Sequence, residues 1–135
     1  MLLSGYPLKA SAYSWDWVFV WATNYHIEVV RAKELPTPKE YLKEQAGDLF
    51  ELMNRIVIAE SGWKPDIKNK HSSASGLFQF VNATFKSYCI DKYEFAESMK
   101  QKNDPYIQID CAVAMIKDGG LSHWSESKKN WFIKK

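Results

Sequence analysis

Leu49, Leu52, Met53, Ile56, Val57 and Glu60 are separated by steps of three, one, three, one and three, the spacing of a single α-helical face. A carboxylate in line with an apolar stripe has to be paired, protonated or turned into a cleft, because stripping water from its charge is costly. Burial raises a carboxyl pKa, and the partial negative charge at a helix C-terminus pushes the same way. A Glu that keeps its proton near neutral pH is what general-acid cleavage of a glycosidic bond requires. Position alone also admits an ordinary boundary Glu that reaches solvent or pairs with a Lys.

Other residues could add chemistry. Asp66 lies six residues beyond Glu60. Facing Glu60 across a cleft, it would position a water for hydrolysis; otherwise it is a solvated loop acid. His71 and His123 have no partner at ligand spacing, and Cys89 and Cys111 lack CxxC spacing, so no metal site and no cofactor are expected. The two cysteines either form a disulfide joining two predicted helices, which an oxidising compartment permits, or stay as buried thiols.

The elements that must position these groups follow from local patterning. From Trp15 to Trp21 and from Tyr25 to Val30, aromatic and β-branched residues alternate with their neighbours. That period of two predicts two strands with a turn at Ala22-Thr23-Asn24. Residues 1–34 thus read as an aromatic-rich N-terminal arm or β-hairpin, and 35–135 as the main domain. Thr37-Pro38-Lys39-Glu40 is a capping box with Pro at the first helical position, predicting a helix from Pro38 to about Ala46. Gly47-Asp48 offers a break and a new cap before a helix over Leu49–Ser61, which Gly62 ends. Glu51, Asn54 and Arg55 fall off its apolar face and read as solvated. Asn82 is expected to cap a helix over Ala83–Cys89. Asp104-Pro105 starts another, with Ile107, Cys111, Ala114 and Met115 on one face and Gly119-Gly120 at its end.

Composition excludes several classes. Hydrophobic residues make up 46% and charged residues 25%, as in a globular protein rather than a disordered one. The net charge of +2 comes without a dense Lys/Arg run, so no nucleic-acid partner is expected, although a slightly basic surface suits an anionic polymer such as a cell wall. The longest strongly apolar run, Trp17–Ala22, is far short of the roughly 20 residues of a transmembrane helix. Ala10-Ser11-Ala12 looks like a signal cleavage site, but the segment before it is short, and no signal peptide is assigned. Aromatic residues reach 15%; most should pack in the core, and some Trp or Tyr rings could stack on sugars.

Glu60-Ser61-Gly62-Trp63-Lys64-Pro65, then Asn69, then Ala74-Ser75-Gly76-Leu77-Phe78-Gln79-Phe80, closely resembles the signature of the soluble lytic transglycosylases. The likeness is strong over about Tyr41–Thr84 and looser through Gln108–Trp131, where His123-Trp124, Ser127 and Trp131 look like the end of related secreted and phage-borne domains. It implies a mainly α, lysozyme-like fold of the goose-type or soluble-transglycosylase kind, acting on peptidoglycan glycan strands. It implies cleavage of the β-1,4 bond between N-acetylmuramic acid and N-acetylglucosamine. In that mechanism one Glu is first acid and then base on the muramoyl 6-hydroxyl, leaving a 1,6-anhydro product. The resemblance assigns Glu60 that role and Ser61 support of the helix end or of the carboxylate. It gives Gln79 a cleft position on an N-acetyl group or the loop, and Phe78, where the family usually has Met, a sugar-ring wall. Asn69 stands at the family's small polar position, with a loop about one residue longer before Ala74. Ser75 and Tyr106 are weaker substrate contacts; turn formation and core packing compete for them. The setting implied is periplasmic, extracellular or phage-associated. Two alternatives remain: a hydrolytic muramidase using Glu60 with Asp66 or a bound water, and a non-catalytic wall-binding module.

Overall fold

A computed structural model of the chain describes residues 19–23, 26–30 and 35–134. The chain separates into two compact units, Met1–Pro36 and Thr37–Lys135. In the first, β1 (Phe19–Thr23) and β2 (His26–Val30) pair antiparallel, from Phe19 opposite Val30 to Thr23 opposite His26. Pairing runs on through Ala22 and Thr23, both expected in the turn, which stand opposite Ile27 and His26; no Asn-Gly or Asp-Gly pins a turn there. The expected strand start at Trp15 lies outside the described residues.

The second unit is helical. α1 (Pro38–Ala46) opens on the expected capping box: Thr37 N donates to Glu40 Oε2 at 2.8 Å and Glu40 N to Thr37 Oγ1 at 3.3 Å. A 3₁₀ turn over Gly47–Leu49 leads into α2 (Phe50–Glu60). The new cap at Asp48 is not made; the turn joins the two helices without a side-chain bond to α2. Met53, Ile56 and Val57 are fully buried, as the stripe requires. α3 (Asn82–Thr84) runs on into a π-helix over Phe85–Lys92. Here Val81, not Asn82, holds the cap position, because the Asn82 side chain is engaged by Lys102 instead.

α4 (Pro105–Lys117) starts where Asp104 Oδ1 accepts from Tyr106 N and Ile107 N at 2.9 and 3.2 Å. It is not the one-faced helix expected. Gln108, Ile109, Ala112, Val113 and Ile116 are buried along with Cys111 and Met115, because the helix is packed by α1 on one flank and by the π-helix and the tail on others. Such burial hides the 3.6-residue signal. The Cys89–Cys111 disulfide joins the π-helix to α4. A 3₁₀ segment, Gly120–Ser127, and α5 (Lys128–Trp131) close the tail over α2.

Candidate active site

Glu60 is the last residue of α2, with Ile56 and Val57 buried on its face one turn before it and its carboxyl half-buried. The helix stops there because Ser61 and Gly62 fold back: Ser61 N reaches Val57 O at 2.9 Å, and Gly62, at φ 59°, reaches the same carbonyl at 3.0 Å. The tail completes the surroundings of the carboxyl. Ser127 Oγ donates to Glu60 Oε1 and lies 3.2 Å from Trp124 O, while Trp131 Nε1 donates to Ser127 Oγ at 2.9 Å. Arg55 Nε, five residues back on α2, donates to Trp131 O at 3.0 Å and so fastens α5 to the helix that carries Glu60. Burial holds the Glu60 carboxyl above its ordinary range, the Ser127 hydrogen bond draws it back, and the charge of Glu126 pushes it up again. A carboxyl poised this way can lend a proton to an oxygen and take one back.

The segment after the loop is a tight turn. Ser75 bridges to both Lys68 and Phe80, and Gly76 N donates to Ile67 O at 2.9 Å. Gly76 sits at φ 84° against the Gln108 side chain; a Cβ there would lie 2.0 Å from Gln108 Nε2. Gln108 is fully buried and saturated. Its Oε1 accepts from Phe78 N at 2.9 Å, and its Nε2 donates to Ser75 O and Lys102 O at 3.0 and 2.7 Å. Gln79 occupies the left-handed region at φ 53°, which a non-glycine residue rarely does; its own Nε2 donates to Gly76 O and Ile67 O, holding the turn closed.

The structure distributes the predicted residues unevenly. Phe78 is not a sugar-ring wall: it is 1% exposed and packed edge-on against Trp124. The turn directs it inward, and Trp124 Nε1 donates to its carbonyl at 3.0 Å. Ser61 is buried with its hydroxyl on Val57 O, at the helix end and not on Glu60. Gln79 bonds the loop. Asn69 is exposed, its Oδ1 accepting from His71 N at 2.7 Å. Ser75 is buried and donates to Asn103 Oδ1 at 2.7 Å. Tyr106 is half-buried and meets Tyr41 edge-on. Tyr41 in turn donates to Asp110; burial and that bond push the phenol up to about 12. Asp66 is exposed and makes no hydrogen bond or ion pair among the described residues.

Asn54 and Arg55 are half-buried rather than solvated, because Trp63 Nε1 bonds Asn54 and the tail bonds Arg55. Ser127 and Glu126 reach Glu60 only through the fold of the tail, and Arg55 acts one step removed, by holding Trp131, so local sequence does not reveal these links to Glu60. Beyond the family-like end that includes Ser127 and Trp131, a local signal was their i,i+4 spacing, which lets the indole reach the hydroxyl. A separate cleft of about 430 Å³ is lined mostly by polar residue types: Lys68, Asn69, Ser72, Ser73, Ala74, Ser75, Asn82, Met99, Lys102 and Asn103. Glu60 is not part of its wall. Among the described residues no His, Cys, Asp and Glu cluster could hold a metal ion.

A small helical domain that ends one helix in a half-buried carboxyl and folds its tail over it is consistent with a lysozyme-like architecture. The family model of the transglycosylase SLT domain matches residues 38–124, well over half of the chain, and the protein belongs to that family. Membership supports a peptidoglycan-directed glycosidase of the lytic transglycosylase type. The matched segment includes Glu60, Gly76, Gln79, Lys102 and Gln108; Ser127 and Trp131 lie beyond it. No curated protein and no solved structure matches the chain.

Proposed function

We propose that the protein cleaves the β-1,4 bond between N-acetylmuramic acid and N-acetylglucosamine without water, with Glu60 as the only acid/base. The observation that carries this reading is the Glu60 carboxyl itself: half-buried, raised in pKa and bonded to one adaptable hydroxyl. Protonated Glu60 gives its proton to the glycosidic oxygen as the bond to C1 breaks. The resulting carboxylate takes the proton of the muramoyl 6-hydroxyl as that oxygen closes onto C1, giving the 1,6-anhydro ring and restoring the acid. Ser127 suits both halves of this cycle. Its single proton can go to the Glu60 carboxylate or, when Glu60 is protonated, to Trp124 O. Asp66, exposed and without a bond to the site, supplies no reason to add a second carboxylate.

The substrate and the Cys89–Cys111 disulfide both favour an oxidising setting outside the cytoplasm: periplasmic, extracellular or phage-associated. Among the described residues no helix is long and apolar enough to cross a membrane. Mass spectrometry of digested peptidoglycan tests the reaction. Muropeptides one water lighter than the hydrolysis products are expected; reducing muramic ends would replace this route with hydrolysis.

A further inference from the structure

Lys102 is 7% exposed, yet it forms no ion pair among the described residues; the pairs there are Lys86–Asp91 and Lys92–Asp118, both on the surface. Its ammonium donates to two neutral oxygens, Ser73 O and, at 2.8 Å, Asn82 Oδ1. An ammonium has three N–H groups, so one is left without an acceptor among the described residues. A buried cation without an anion is costly, and burial depresses the Lys102 pKa accordingly. The lysine is nevertheless held in place from both ends, because Gln108 Nε2 grips its carbonyl at 2.7 Å. It stands in the wall of the open cleft, where Lys68 adds a second, exposed cation and Met99 an apolar edge. The cleft volume of about 430 Å³ falls in the range of small-molecule sites, about 300–1,000 Å³.

We propose that this cleft, separate from Glu60, binds a free carboxylate on the peptide stem of peptidoglycan, with Lys102 as its counter-ion and Lys68 as its rim. The glycan of the substrate is neutral apart from its peptides, whose backbone amides and carboxylates match a lining of side-chain amides, hydroxyls and two ammonium groups. One buried and one exposed cation suit a single carboxylate better than a phosphodiester chain. The inference deepens the function proposed above and rests on it for the identity of the polymer.

Binding is read without catalysis, on the full chain carrying Glu60→Gln, by NMR titration with a soluble stem peptide. Shifts concentrated at Ser73, Asn82, Lys102 and Asn103, weakened at least tenfold when the peptide's carboxylates are amidated, are expected. Equal binding of the amidated peptide overturns the proposal, as does tighter binding of inorganic phosphate. Turnover gives the second reading. Lys102→Met should lower kcat/KM about tenfold more on peptide-bearing strands than on peptide-stripped strands. An equal loss on both substrates makes Lys102 a strut and overturns the site. Lys68→Gln, at an exposed position, should cost about threefold more on peptide-bearing than on peptide-stripped strands; no difference would remove the rim. Failure of Glu60→Gln to abolish cleavage would refute the catalytic reading while leaving the peptide titration intact.

Discussion

Glu60 and Gln108 have side chains of the same length and shape, each at one end of a helix, and the fold treats them in opposite ways. Gln108 is fully buried and every bond it needs is made: Phe78 N on one side, Ser75 O and Lys102 O on the other. Glu60 is only half-buried, touches one hydroxyl and has a raised pKa. A saturated polar group fixes geometry and has nothing left to offer a substrate. An unsaturated acid keeps capacity in reserve at some cost to stability. The contrast separates the residue that builds the turn from the residue placed to react.

Exchanging the two chemistries tests the contrast hardest at Gln108. Gln108→Glu removes both donors and turns a carboxyl oxygen toward two carbonyls. Two orphaned carbonyls at about 1–3 kcal/mol each, with a buried carboxyl added, predict a loss of about 4 kcal/mol. A urea unfolding curve at neutral pH should show it. A midpoint within error of the parent would mean the turn is not hung on Gln108.

Glu60→Gln should do the reverse. It keeps the shape and still accepts from Ser127, but it cannot cycle a proton. Loss of general acid–base catalysis predicts a fall in cell-wall clearing of about 1,000-fold, or roughly 4 kcal/mol in barrier. Stability should move the other way. The Glu60 pKa is higher folded than unfolded, so its favourable contribution is complete below the unfolded value and is lost as pH rises through the folded one. At neutral pH the ionised group therefore weighs against folding. Glu60→Gln should melt higher than the parent at pH 7 and lose that advantage in acid. A variant that clears walls at the parental rate would end the assignment of Glu60.

These two residues also mark what the sequence could and could not reveal. Glu60 was legible because α2 has one apolar face, and the 3.6-residue period carries straight through to its last residue. Gln108 was not, because α4 is covered on several flanks and its polar residue sits among Ile107, Ile109 and Ala112 with no periodic contrast. The order of Gly76-Leu77-Phe78-Gln79 was readable, but the inward turn of Phe78 depends on Gln108 and Trp124, which arrive from 30 and 46 residues away. Asn82 illustrates the same limit: a local capping preference lost to Lys102, a partner 20 residues distant. The hairpin's alternation was plain, while Ala22 and Thr23, expected in the turn, are paired because no strong turn dipeptide stands there.

Gly76→Ala probes the contact through which Gln108 holds the turn. A new Cβ 2.0 Å from Gln108 Nε2 must displace the amide, and the positive φ adds strain. Overpacking at about 1–3 kcal/mol and left-handed backbone at about 1–2 kcal/mol predict a loss of about 3 kcal/mol. Because Glu60 belongs to α2 and not to the turn, the variant protein that remains folded should retain the parental pH profile. A changed profile would show that the turn and the acid are one unit.

The smallest effect concerns the single partner of the reactive carboxyl. Ser127 donates to Glu60 and so favours its ionised form, which means that Ser127→Ala should raise the Glu60 pKa further above its ordinary value. Trp131 keeps Trp124 O as an acceptor at 3.3 Å, so the tail has a reason to stay folded. A hydrogen bond to a charged group is worth about 1.5–3 kcal/mol at most, and a half-exposed one less, so stability should fall by no more than about 1 kcal/mol. The informative readout is the pH profile. Cleavage begins with protonated Glu60, so activity declines as pH rises past its pKa, and in Ser127→Ala that alkaline limb should move to higher pH. At low pH, where Glu60 is protonated in both proteins, the rates should converge. A uniform drop at every pH, with the limb unmoved, would mean that Ser127 braces the tail and has no say over the proton.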